Sequence, residues 1–159
     1  MAFRLVTSGG NVVDPAVVGI YASGVVKSGS VVEFTRTSGA GVAPASSSSS
    51  TTNIFGICMD YAQGASDVIV NVTPFSSGQL WEADCVNSAS TAQIGLRHVL
   101  DSHLFVRNTA TDLGAGNNFT AVFRAVAMTG LTSGSGKLIG YFRQQEAPVF
   151  SSSTAGGHL

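Results

Sequence analysis

The stretch over residues 53–84 constrains the fold most. Three short apolar runs, centred on Ile57, Ile69 and Trp81, are separated at residues 62–66 and 74–78 by small and turn-forming residues that reverse a chain. The segment therefore predicts strand, turn, strand, turn, strand. Within it Val68, Val70 and Val72 alternate with Ile69, Asn71 and Thr73, a period of two that sends the three valines to one face, expected to be core. Nothing in the segment suggests catalysis.

Strand signals recur on either side. Residues 30–37 are rich in β-branched side chains and follow a Lys27-Ser28-Gly29 turn; Val32 and Phe34 are expected to face the core, with Glu33 and Thr35 toward water. Residues 93–100, 103–108, 119–128 and 137–143 continue the series. The longest of these places Phe119, Ala121, Phe123, Ala125 and Ala127 on one face, and the last sets Leu138 and Phe142 opposite Ile139 and Tyr141. One helical turn is expected over residues 88–93, capped by Ser88 or Ser90. Short strands at regular intervals, with no sustained 3.6-residue stripe, predict an all-β fold: a single small antiparallel β-barrel or sandwich.

Around that barrel, taken as residues 25–146, the sequence predicts an extended N-terminal arm at 1–24 and a flexible C-terminal tail at 147–159. In the arm, Val12, Val13, Val17 and Val18 come in pairs broken by Asp14-Pro15 and Gly19, the texture of extended chain. A Ser-rich loop at 38–52 holds Gly39, Gly41, Pro44 and a run of serines at 46–50. Its apolar surface is too small to offset the entropy of ordering it, so it is expected as a solvated hairpin insertion.

Charged residues are 11% of the 159, against roughly 25% in an ordinary soluble domain. Eight Lys and Arg against nine Asp and Glu leave a net charge of −1, which argues against a nucleic-acid partner, since phosphates require a basic face. The hydrophobic share of 44% is ordinary, so Gly, Ser and Thr have replaced charge. Two explanations stand: much of the surface is covered in an assembly, or a coat of hydroxyls keeps the protein soluble. No stretch approaches the roughly 20 apolar residues that span a bilayer, so no membrane partner is expected. The start turns polar before a signal-peptide core forms, so synthesis in the cytoplasm from near Met1 is expected. There Cys58 and Cys85 would be reduced fillers of strands; their spacing does not suit zinc and leaves a disulfide open.

Tests for chemistry return little. Residues 130–137 superficially match a phosphate-binding loop, but the glycine spacing is one residue too long, Leu138 stands where a Ser or Thr would hold magnesium, and a strand follows. His98 and His103, five positions apart, fall on opposite faces of a strand. Glu82 and Asp84 point the same way and could pair as acid and base, but outward solvation or contact with a neighbouring subunit is the expected role. The sequons at Asn71 and Asn118 carry no weight without a secretory signal. No catalytic, cofactor-binding or metal-ligating residue is assigned, no cofactor is expected, and an enzyme is not expected.

A family resemblance then enters. The succession Ser28-Gly29-Ser30-Val31-Val32-Glu33-Phe34, then Pro44 with the Ser/Thr loop, Ile54-Phe55-Gly56-Ile57-Cys58-Met59-Asp60-Tyr61-Ala62, Val68-Ile69-Val70-Asn71-Val72 and Gln79-Leu80-Trp81-Glu82-Ala83 resembles the head decoration, or cement, proteins of tailed bacteriophages. Ile94-Gly95-Leu96 and the closing Gly136-Lys137-Leu138-Ile139-Gly140-Tyr141-Phe142 fit the same layout, so the resemblance runs over about residues 25–143, with a longer Ser loop and a Ser/Gly tail as departures. It implies a virion structural protein on the capsid surface, made in the host cytoplasm. Such a protein binds the exterior of the expanded head, commonly as a homotrimer, and clamps neighbouring major capsid protein subunits. Subunit or capsid contacts are expected from an arm carrying Phe3, Leu5, Val12, Val13, Val17 and Val18. The competing expectation is a carbohydrate-binding or host-attachment barrel that stacks sugars on Trp81, Tyr61 or Tyr141.

Overall fold

A computed structural model describes residues 3–8, 17–35, 41–60, 68–76, 78–108, 119–129 and 136–143. The alternating and β-branched runs become strands: β1 (Phe3–Ser8), β2 (Val18–Ala22), β3 (Val31–Phe34), β4 (Val42–Pro44), β5 (Ile54–Cys58), β6 (Val68–Pro74), β7 (Gln79–Ala83), β8 (Arg97–Ser102), β9 (Phe105–Arg107), β10 (Phe123–Thr129) and β11 (Lys137–Phe142). The fold is all-β. The helical turn expected near residue 90 is a single 3-10 turn, Thr91–Gln93, in which the Ser90 backbone N–H donates to Gln93 Oε1 at 2.7 Å. Among the described residues no helix is long and apolar enough to cross a membrane.

Five strands close into a barrel in the order β2-β4-β3-β5-β6. Every contact is antiparallel except the seam between β2 and β4, which is parallel and rests on the single pair Ala22↔Val42 with Ser23 N–H donating to Val42 O at 2.7 Å. Only glycine fits at 41, because a Cβ there would collide with the Tyr21 carbonyl oxygen. The interior is small and aliphatic: Ala22, Val26, Val32, Val42, Cys58, Val70 and Val72. Of the three alternating valines, Val70 and Val72 are fully buried, whereas Val68 sits at the rim, 38% exposed.

The other six strands form an antiparallel sheet in the order β1-β7-β11-β10-β8-β9. It curls until the chain beyond β7 meets β9: Cys85 bridges Val106 in parallel, Val106 N–H donates to Asp84 O at 2.9 Å, and Val86 N–H donates to Val106 O at 3.0 Å. Its core is aromatic. The Phe142 ring stacks on Phe75 with centroids 4.0 Å apart and meets Phe123 at 5.3 Å, Phe3 at 5.4 Å and Trp81 at 6.5 Å.

β3 and β5 lie between the two cores. Val31, Ile54 and Ile57 pack into the aromatic core, while Val32 and Cys58 face the barrel interior. Strands covered on both faces read as continuous apolar runs, which explains Ile54-Phe55-Gly56-Ile57-Cys58. It also corrects the expected alternation of residues 31–35: Val31 and Val32 are both buried, a bulge between Val32 and Glu33 breaks the period against β5, and Phe34 is 46% exposed.

Three further expectations are corrected. Two parts of the predicted N-terminal arm are strands of this chain's own fold, with β1 paired to β7 and β2 to β6; residues 9–16, like the tail, lie outside the described residues. The Ser-rich segment from residue 41 is ordered by its own hydrogen bonds. After β4, Ser46 N–H donates to Ser49 Oγ at 2.7 Å, Asn53 N–H to Ser50 O at 3.0 Å and Thr51 N–H to Phe119 O at 2.8 Å, with Ser49 and Thr51 buried. Serine hydroxyls that turn back on the backbone supply what the missing apolar area does not. Finally, β10 begins at Phe123; Phe119 precedes it and is exposed, and a bulge between Ala125 and Ala127 interrupts the face expected to be continuous.

Candidate interaction surface

The β2–β6 ladder sets a patch. Its register pairs Val18↔Val72, Ile20↔Val70 and Ala22↔Val68 on the inward face, and Gly19↔Asn71 and Tyr21↔Ile69 on the outward face. Tyr21 is 51% and Ile69 58% exposed, side by side. Val17, Val18 and Val68 add exposed apolar surface at the ladder's ends. Gly19 leaves the spot beside Ile69 bare, and the Ile69 Cγ2 methyl lies 3.3 Å from where a Gly19 Cβ would stand. Along the border Asp60 Oδ2 accepts from the Asn71 backbone N–H at 2.8 Å and from Asn71 Nδ2 at 2.9 Å, which occupies that carboxylate. Among the described barrel residues only Lys27, Glu33 and Asp60 are charged.

The structure separates the arm residues expected to make contacts. Val17 and Val18 are exposed at one end of the ladder, Val18 on its inward face at the barrel rim. Phe3 is fully buried, tilted between Phe123 and Phe142, and Leu5 packs against the same core, so both side chains serve this chain's own sheet. Val12 and Val13 lie outside the described residues. Tyr21 and Ile69 were not singled out as contacts; opposite the valine face the sequence offers Ile69 beside the polar Asn71 and Thr73, and only the pairing with β2 makes a surface of it.

Comparisons with protein-family models, with curated proteins and with solved structures find no match.

Other constellations have local explanations. Glu82 and Asp84 do point the same way, and Lys137 engages both, with Nζ 2.8 Å from Asp84 Oδ1 and 3.9 Å from Glu82 Oε1, while Arg4 reaches Glu82 Oε2 at 3.2 Å. Asp84 and Lys137 also border a cleft of about 290 Å3 with Cys85 and Phe105. The Cys85 thiol is pushed up to about 11 by burial, which leaves it protonated and a poor nucleophile at neutral pH. Neither cysteine forms a disulfide. Ser30 Oγ stands 2.9 Å from His103 Nδ1, a nucleophile-and-base spacing invisible in the sequence, but Ser30 is fully buried, so no substrate reaches its hydroxyl here. Trp81 is 1% exposed and offers no stacking face; Tyr141 is half-buried, and Tyr61 lies outside the described residues. Among the described residues no cluster of three His, Cys, Asp or Glu is arranged to hold a metal.

Proposed function

We propose that the chain is a virion structural protein that docks on the exterior of an expanded phage head and cements neighbouring major capsid protein subunits, acting as a symmetric oligomer, a homotrimer in the first instance. The observation that carries this is the Tyr21–Ile69 patch: contiguous apolar surface on a barrel with almost no charge to keep it in water. Burying a side chain of this size contributes about 1.5–3 kcal/mol, and a closed symmetric assembly multiplies such contacts.

The test uses purified expanded heads lacking the protein, incubated with the wild type or with Tyr21→Lys or Ile69→Lys, and occupancy measured by quantitative mass spectrometry. The wild type is expected at copy numbers comparable to the major capsid protein, with each lysine variant down by about tenfold or more, the factor corresponding to 1.4 kcal/mol. Undiminished occupancy of both variants removes the patch from the interface, and no wild-type binding removes the function. Point substitutions on the patch leave Phe3 and the sheet core intact.

A further inference from the structure

The turn between β8 and β9 docks on the start of β3, where barrel and sheet join, and three links hold it. Val31 N–H donates to His103 O at 2.8 Å, Ser30 Oγ lies 2.9 Å from His103 Nδ1, and Ser46 bridges Ser102. Ser30 Oγ also accepts the Lys27 backbone N–H at 2.9 Å. A hydroxyl has one hydrogen to give and two lone pairs. With Lys27 N–H on one lone pair, the Ser30 proton is free to go to a bare Nδ1, so the arrangement is complete when His103 is neutral with its hydrogen on Nε2. If Nδ1 takes a proton, it must donate to Ser30 Oγ as well, and the serine hydrogen is driven off its acceptor at a fully buried site.

We propose that the Ser30–His103 contact is a proton-operated latch between barrel and sheet, closed when His103 is neutral and loosened when it is charged. Among the described residues the charged groups of the packed elements favour the neutral form or are occupied elsewhere: Asp60, on the segment after β5 that packs on residues 28–30, is held by Asn71. Lys27, on the turn before β3, repels an imidazolium; Asp101 and Arg107, on the hairpin itself, are paired with each other at 3.0 Å; Glu33 on β3 lies beyond the bulge; and residues 41–53 contain no charge. Burial, and then Lys27, hold the His103 value below its ordinary 6.5. A depressed folded-state value means that the unfolded or undocked chain binds the proton better. Latch stability is therefore full above about 6.5, begins to fall below it, and stops falling once pH passes the lowered folded-state value.

Hydrogen exchange of the full chain from pH 7.5 to pH 5, corrected for the intrinsic rate, tests this. Protection at Val31 and Val106 is expected to fall with pH by up to about tenfold for each unit by which the His103 value is depressed, while central amides of β10 and β11 hold theirs. His103→Gln, which keeps a ring-free acceptor but cannot take the proton, is expected to show no pH-dependent step. Flat wild-type protection, or the same step in His103→Gln, overturns the latch. A His103 titration midpoint at or above 6.5, followed by NMR on the wild type, overturns it without any variant.

Discussion

The barrel and the sheet reach stability by different means. The sheet packs large aromatic rings inside, with Phe3, Phe75, Trp81, Phe123 and Phe142 in mutual contact, and places Arg4, Glu82, Asp84, Asp101, Arg107 and Lys137 in ion pairs on its surface. The barrel has a small core of valines, one alanine and one cysteine, closes through a one-pair seam, and leaves Tyr21 and Ile69 in water. Its sheet neighbour also manages its edges: β1 carries a bulge after Leu5 and a charged Arg4, and β9 is covered by the chain after β7. The sheet's aromatic core is completed by Val31, Ile54, Ile57 and Phe75 from the barrel strands and the chain after them, whereas the barrel leaves Tyr21 and Ile69 exposed side by side.

Truncating the aromatic hub should do the most damage. Phe142→Ala is expected to cost about 4 kcal/mol in urea unfolding, against about 2 kcal/mol for Val72→Ala in the barrel. Equal losses would erase the distinction between a large-ring core and a small aliphatic one. Next comes the seam: Gly41→Ala forces a methyl onto the Tyr21 carbonyl and is expected to cost about 3 kcal/mol, with the loss of protection confined to β2 and β4. A cost near zero would mean that the barrel closes without that close approach.

The two thiols report which half opens first. Burial raises both, Cys85 to about 11, so native alkylation of Cys85 at pH 8 should run on the order of a hundredfold slower than a free thiol. If the one-pair seam breathes, Cys58 will label faster than Cys85 despite being the more deeply buried; the reverse order would assign the weaker half to the sheet. The smallest effect is expected on the sheet surface. Lys137→Met should cost no more than about 1 kcal/mol and less in high salt, because the lysine is 42% exposed. The hydrogen bond to Asp84, with the charges of Asp84 and Glu82 behind it, raises the Lys137 value above the ordinary 10.5, so this contribution is present below 10.5 and fades as pH climbs through the higher folded-state value.

Much of this was legible in the chain. The alternation of Val68, Val70 and Val72 marked the barrel wall, Leu138 and Phe142 were set on one face, which is the buried one, and the capped turn at Ser90 formed where its residues allowed. The misses share one cause. The doubly buried Val31-Val32, the burial of Thr51 at the end of the serine run and the core placement of Phe3 each depend on a partner distant in sequence: β5 and the hairpin turn, the Phe119 carbonyl, and the ring of Phe142.

The sequence by itself determined that this chain is all-β, poor in charge and furnished with an apolar face on residues 68–72, because period-two patterning and composition are local properties. Only the tertiary structure decided that there are two cores sharing β3 and β5, that Phe3 is internal, and that Tyr21 meets Ile69 across a ladder. Register between strands is a long-range choice, settled by which arrangement buries both valine faces and aromatic rings at once, and no window of the sequence contains it.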